Sequence, residues 1–263
     1  MTEAAVVTDL DGTIVRADGT ISEATVSACH ALRRQGIPVI AATARSPAGV
    51  RALTELTPHL TLAVCCGGSL GYAPDPATVL WRDTLQSDAV QALLSLIRAE
   101  LPEAGVAIYD GESWRMTEAY VAIRTSRHNG PAAVVPVDAF AGVAACAMTL
   151  CHPVLSPAEL ITLLTRRGIA LSLSFAGPEL VEIAPAGISK ASGVVRALRE
   201  VGVSAERAVA FGDMPIDIPM FTAVGRSVAM ADSPREVLDA ATMVTETVEE
   251  DGFSRALTRL GLI

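Results

Sequence analysis

Two short acidic motifs follow apolar runs, and their residue types and spacing could do chemistry. The earlier is Thr8-Asp9-Leu10-Asp11-Gly12-Thr13, where two carboxylates stand two residues apart directly after the run 4–7. Side chains two apart on extended backbone share a direction, so Asp9 and Asp11 are expected to face one small site while Gly12 lets the chain turn away. Like charges that close repel unless a cation stands between them, and an all-oxygen donor set suits a hard divalent ion, Mg2+. The later motif, Gly212-Asp213-Met214-Pro215-Ile216-Asp217, follows the apolar run 208–211 in the same way. Ligands of open α/β sheets bind at the carboxyl ends of strands, so two such motifs on neighbouring strands can converge on one metal. Its expected ligands are Asp9, Asp11, Asp213 and Asp217. A plain Asp-Gly turn at the first motif and a solvated acidic loop at the second are the competing explanations of each alone. An EF-hand loop is excluded, because the third acidic ligand, the downstream Gly and the closing Glu are missing.

A cation and a hydroxyl complete the set. Lys190 follows Ser189 at the first turn of a helical pattern, where the helix dipole disfavours positive charge. An anionic substrate held between Lys190, metal and carboxylates would offset that cost, and an exposed lysine is the alternative. Thr43, directly after another apolar run, can offer its hydroxyl and backbone N–H groups to an anion. With the adjoining Ala44 and with Gly12, Thr43 and Lys190 make up the expected substrate contacts.

The elements that must position these residues follow a strand-helix rhythm. Residues 4–7 read as a buried strand; Ser22 precedes a helical pattern running to residue 34 that Gly36 closes, and 37–42 is a second strand. Ser46 and Pro47 open a helix reaching about residue 56, and 62–65 is a third strand before Gly67 and Gly68. The rhythm returns as a helix over 190–201, a strand over 208–211, a helix over 219–223, a strand over 227–230, a helix over 234–240, a strand at Met243 and Val244, and a last helix from Phe253. Both ends therefore belong to one doubly wound sheet, expected to be parallel. Between them the pattern changes to helices over 87–100 and 157–167 and strands over 106–109, 141–150, 170–175 and 180–183. That is an α+β insert with an antiparallel sheet and two helices on one face.

Composition agrees. The 263 residues carry 20 Lys and Arg against 29 Asp and Glu, a net charge of −9 that speaks against nucleic acid as a partner. Hydrophobic residues make up 51% and aromatic ones 4%, which excludes general disorder and favours α/β over a Tyr- and Trp-rich sandwich. The longest charge-free apolar stretch, 139–151, is too short to span a membrane. The first residues have neither the cationic start nor the apolar core of a secretory signal, so a cytoplasmic location is expected. The five cysteines form no regular framework and read as reduced core thiols.

Taken in chain order, DxDGT, a Thr after the second strand, a Lys opening a later helix and GDxxxD resemble the haloacid dehalogenase superfamily. An insert of this size after the third strand, with Val228-Ala229-Met230 and Asp251-Gly252 in the tail, is similar to its Cof-type subgroup with a type C2 cap. The resemblance covers the whole chain. It implies a Rossmann-like α/β core over 1–82 and 187–263 and an α+β cap over 83–186. It implies Asp9 as nucleophile toward phosphorus and Asp11 as the general acid that protonates the leaving oxygen and then activates water. Thr43 and Lys190 would hold the phosphoryl oxygens. Asp213 would bind Mg2+ together with the Asp9 carboxylate and the Asp11 backbone carbonyl, and Asp217 would act on the metal's waters or orient Lys190. The implied activity is Mg2+-dependent hydrolysis of small phosphorylated metabolites, sugar phosphates above all, with no nucleic-acid or membrane partner, by a monomer or small homo-oligomer. A phosphotransferase or phosphomutase, and a regulatory phospholigand-binding protein with weakened turnover, stay open as alternatives.

The chain departs from that family's pattern at three places. Ala44 stands where relatives usually carry Gly, Ile216 where many carry Asn, and residues 66–68 where many carry an Asn-Gly pair. Ile216 cannot hydrogen-bond at all. In the cap, Arg124, Arg127 and His128 form a basic cluster that either meets an anionic or sugar-bearing leaving group or is solvated surface. Trp114 and Tyr109 read as cap packing.

Overall fold

Short apolar runs and side-chain helix caps define the first elements, and the computed structural model describes residues 4–124, 132–176 and 179–263. They are β1 (Ala5–Thr8), α1 (Glu23–Arg34), β2 (Val39–Ala42), α2 (Pro47–Arg51), β3 (Leu62–Cys65), β4 (Leu70–Ala73) and β5 (Thr78–Arg82). The insert follows as α3 (Ser87–Glu100), β6 (Gly105–Tyr109), β7 (Trp114–Met116), α4 (Glu118–Ile123), β8 (Ala132–Val134), β9 (Ala147–Cys151), α5 (Pro157–Arg166), β10 (Ser172–Phe175) and β11 (Val181–Ala184). The chain then returns through α6 (Lys190–Glu200), β12 (Ala208–Gly212), α7 (Ile218–Thr222), β13 (Arg226–Ala229), α8 (Arg235–Ala240), β14 (Met243–Val244) and α9 (Gly252–Arg259).

Eight strands form one sheet in the order β14-β13-β12-β1-β2-β3-β4-β5. β1 lies between β12 and β2, parallel to both, with Val7 opposite Ala210 and Ile40. Its residues are fully buried and alternate between two apolar layers. Val6 packs with Cys29 and Leu32 of α1 and Phe253 and Leu257 of α9, whereas Ala5 and Val7 pack with Val194 and Leu198 of α6 and Met220 of α7. Helices cover both faces, the doubly wound α/β arrangement that the sequence predicts.

The sheet is not parallel throughout, because β4 runs antiparallel to β3 and β5 antiparallel to β4. After β3 the chain reverses within residues 66–68, all at positive φ (51°, 59° and 116°), leaving no length for a crossover helix. Helix α2 ends at Arg51 rather than near residue 56, and the chain beyond it is tied back by the Thr57 hydroxyl, which reaches the Val50 and Leu53 carbonyls. In the insert, the strand expected over 141–150 is confined to β9, and a tight turn over Val137–Phe140 precedes it.

The insert's own sheet has the order β10-β11-β9-β6-β7-β8. All its pairs are antiparallel except β7 with β8. As expected, α3 and α5 cover one face, with Leu94 and Leu164 packed on Val106, Met148, Val181 and Ile183. The other face joins Ala107, Tyr109 and Ala147 to Cys65, Cys66, Leu70 and Tyr72 of the first sheet. Tyr109 and Trp114 are buried in this layer with ring centroids 5.4 Å apart, in agreement with a packing role. All five cysteines are buried and free. Among the described residues no helix is long and apolar enough to cross a membrane.

Candidate active site

The carboxyl ends of β1 and β12 meet beside the start of α6. The Asp9 N–H still donates to the Phe211 carbonyl at 2.9 Å, which fixes Asp9 as the last residue on the β1–β12 ladder. Beyond it the Leu10 carbonyl accepts from the N–H groups of Thr13, Ile14 and Val15, and the chain curls into a tight loop. The backbone does not stay extended through Asp11, so the two carboxylates part company, contrary to the expectation of a shared direction. Asp9 is 7% exposed. The Asp11 side chain is 58% exposed and accepts from Arg45 Nε at 2.8 Å and Nη2 at 2.5 Å.

Lys190 lies in the first turn of α6 behind Ser189, whose hydroxyl accepts from the Ser192 N–H. Its ammonium is buried and reaches Asp9 Oδ1 at 3.0 Å and Asp217 Oδ1 at 2.7 Å. This is the anionic partner demanded by a cation at a helix start. The other oxygen of Asp217, Oδ2, accepts the Asp213 and Met214 N–H groups at 3.1 Å each. Asp217 thus accepts three hydrogen bonds, and its contact with Lys190 orients that ammonium. Thr13 donates to Asp213 Oδ1 at 2.7 Å.

Carboxylate oxygens of Asp9, Asp213 and Asp217 lie within 4.8 Å of one another. The Asp11 carboxylate is not in this group. Asp217 already accepts three hydrogen bonds, whereas Asp9 meets Lys190 and Asp213 meets Thr13, so these two keep the larger share of the lone pairs a cation could use. Electrostatics agree with a site that favours added positive charge. Burial pushes Asp9 up to about 8 against the pull of Lys190, with Asp217, Asp213 and Asp11 adding to the push. Asp213 rises to about 6, again chiefly by burial and against the Thr13 hydrogen bond. Lys190 is raised by Asp217 and Asp9 despite its burial. An all-oxygen, electron-rich pair of this kind fits a hard divalent cation.

Thr43 follows β2, the strand paired with β1, and is buried. Its own N–H is taken by the Val64 carbonyl at 2.8 Å, so it has only the hydroxyl, which accepts from the Arg45 N–H, to offer an anion. Ala44 is exposed, and Ile216 is half-buried in the turn Pro215–Asp217. Gly12 has φ +87° and lies against Asp213. Of the basic cluster, the Arg124 guanidinium stands 5.8 Å from the Tyr120 ring centre; Arg127 and His128 lie outside the described residues.

Three residues escaped the sequence reading. Thr13 and Arg45 sit inside the quoted motifs, yet nothing in their spacing gives them Asp213 and Asp11 as partners. Glu182 was legible as the lone charge in Leu180-Val181-Glu182-Ile183-Ala184, and it is buried in β11.

The family model for haloacid dehalogenase-like hydrolases matches residues 6–257. The chain is 26% identical over 255 residues to the pyridoxal phosphate phosphatase YbhA of Escherichia coli, covering 93% of each protein. It is 27% identical over 263 residues to the 5-amino-6-(5-phospho-D-ribitylamino)uracil phosphatase YitU of Bacillus subtilis, covering 95% of this chain and 94% of that one. Its fold superposes on the HAD subclass IIB sugar phosphatase BT4131 with a TM-score of 0.87 at 21% identity, over 99% of this chain and all of that one.

Proposed function

The chain belongs to the haloacid dehalogenase-like hydrolase family, and from that premise we propose that it is a Mg2+-dependent phosphatase of small phosphorylated metabolites, sugar phosphates in particular. The observation that carries the reading is the buried Lys190 ammonium between Asp9 and Asp217, with Asp213 alongside. A carboxylate at a strand end, held by a cation that has one donor to spare, is a positioned nucleophile with an adjacent contact for a phosphoryl oxygen.

In this reading an Asp9 carboxylate oxygen attacks phosphorus, the bond from phosphorus to the leaving oxygen breaks, and Asp11 gives that oxygen a proton. Asp11 then takes a proton from water as the water oxygen attacks phosphorus, releasing Asp9 and inorganic phosphate. Both oxygens of Asp11 are engaged by Arg45, so its service as an acid requires this pair to open. The Lys190 ammonium and the Thr43 hydroxyl hold phosphoryl oxygens. Asp9 and Asp213 would hold the Mg2+, which when bound screens the repulsion between anionic nucleophile and anionic substrate. The insert, acting as a cap over residues 83–186, shields this step from bulk water.

The test is phosphate release from sugar phosphates, nucleotides and an aryl phosphate, with Mg2+ or with EDTA, by wild type and Asp9→Asn. Metal-dependent release that the near-isosteric amide abolishes is the expected result. Release that survives Asp9→Asn in full overturns the covalent mechanism, and phosphorylation of an added sugar in place of release moves the assignment to a transferase.

A further inference from the structure

Glu182 is a buried acid that the site above does not use. It sits in the middle of β11, 3% exposed, and among the described residues its carboxylate accepts no hydrogen bond. The alternation of β11 sends Val181 and Ile183 into the helix-covered layer of the insert. Glu182 is thereby left on the face toward the catalytic sheet. Cross-strand register sets Ser174 beside it on β10 and Thr149 beside it on β9. The face thus carries a hydroxyl, a carboxylate and a hydroxyl in a row, the last donating to the Tyr120 hydroxyl at 2.9 Å.

The turn Cys66–Gly68 of the catalytic sheet lies against this row. A Cβ built on Gly67 would stand 2.4 Å from Glu182 Oε2, and one built on Gly68 would stand 2.1 Å from the Ser189 carbonyl oxygen. This turn therefore connects Glu182 to the start of α6, where Lys190 contacts Asp9. Burial pushes Glu182 up to about 7 while the Lys190 ammonium pulls it down, so the two charges sense each other. A carboxylate this nearly removed from water, with no protein donor, is costly, and folded chains retain one where a ligand or water supplies the donor. A position kept only for packing would be apolar, like its neighbours on β11.

Resting on the phosphatase reading, we propose that Glu182 is a specificity-determining residue of that site. Its carboxylate accepts a hydrogen bond from a hydroxyl of the leaving group, selecting phosphate monoesters of polyhydroxy alcohols and rejecting leaving groups that carry a second anion. The selection is by donor and by charge together. An alcohol rich in hydroxyls supplies what Glu182 lacks, and a carboxylate or second phosphate meets a like charge.

The test compares kcat/KM of wild type, Glu182→Ala and Glu182→Gln on glucose 6-phosphate, phenyl phosphate and phosphoglycolate. In Glu182→Ala the ratio of glucose 6-phosphate to phenyl phosphate falls about 10- to 100-fold, the worth of a hydrogen bond to a charged acceptor. Glu182→Gln keeps a carbonyl acceptor and the volume, so it loses less on glucose 6-phosphate and gains on phosphoglycolate; it carries the test should the alanine variant not fold. Parallel loss on all three substrates, or an unchanged ratio, overturns the proposal. In an Asp9→Asn background, calorimetry with glucose 6-phosphate and with inorganic phosphate separates this inference from the phosphatase reading. Adding Glu182→Ala should weaken the sugar phosphate and spare inorganic phosphate, whether or not the wild type releases phosphate. Equal effects on both ligands sink the inference alone.

Discussion

Gly12 lies so close to the Asp213 carboxylate that a Cβ built on it would stand 2.4 Å from Asp213 Oδ2. The loop after β1 and the loop after β12 are thus fitted to each other at the level of one methyl group, and Thr13 fastens the same carboxylate from its next position.

Gly12→Ala tests that fit. The new methyl group displaces Asp213, and φ +87° is unfavourable for any side chain, so stability falls by about 1–2 kcal/mol. Activity falls further than stability, because Asp213 is one of the two carboxylates proposed to hold the cation. Urea denaturation beside phosphate release at saturating Mg2+ reads both, and an alanine variant with wild-type turnover refutes the role given to this contact.

Metal affinity should rise with pH. Asp9 at about 8 and Asp213 at about 6 stand above the ordinary carboxylate range near 4. Between about pH 4 and 8 the metal-free native state holds protons that the unfolded chain has released, so these two groups lower its stability as pH climbs. A cation that needs both ionised expels those protons, and its apparent affinity gains up to about tenfold per pH unit for each proton displaced. The rise in Tm on adding a fixed concentration of Mg2+ is therefore larger at pH 8 than at pH 6. Calorimetry in buffers of different ionisation enthalpy counts the protons, and a count of zero at pH 7 contradicts the linkage.

Lys190→Met strands two carboxylates in the interior. Asp217 is fully buried and Asp9 nearly so, and removing their shared cation costs about 3–5 kcal/mol in the metal-free protein. Asp217→Asn in the same chain keeps an acceptor for the Asp213 and Met214 N–H groups and removes one stranded charge, so the double variant recovers part of the loss. Chemical denaturation of the four members of this cycle measures the coupling, and strict additivity contradicts the shared ion pair.

Much of the catalytic sheet was legible because its evidence is local. The run 62–65 is β3 to the residue, Ser22 and Ser189 cap the helices their positions announce, and Lys190 opens α6 as expected. The edge hairpin β4–β5 was hidden because Leu70-Gly71-Tyr72 is too glycine-rich to read as a strand. Gly71 is there because a Cβ would stand 2.1 Å from Trp81 Cε3, a contact made ten residues away. β7 and β8 have three residues each and are defined only by the partners they find. In the site, Asp9, Asp213 and Asp217 could be placed from strand-end spacing. The divergence of Asp11 could not, since it depends on Arg45 from the next strand end and on three N–H groups converging on the Leu10 carbonyl.

The pairing of β1 with β12 also dictates an order of events during synthesis. Ala5 finds Ala208 only after some two hundred intervening residues exist, so the central strand leaves the ribosome long before its second neighbour does. The insert between them, whose sheet pairs only its own strands, can organise while β1 still waits with one flank unpaired. Any message truncated before β12 yields a polypeptide that carries Asp9 without Asp213, and a sheet open down its middle for chaperones or proteases to find.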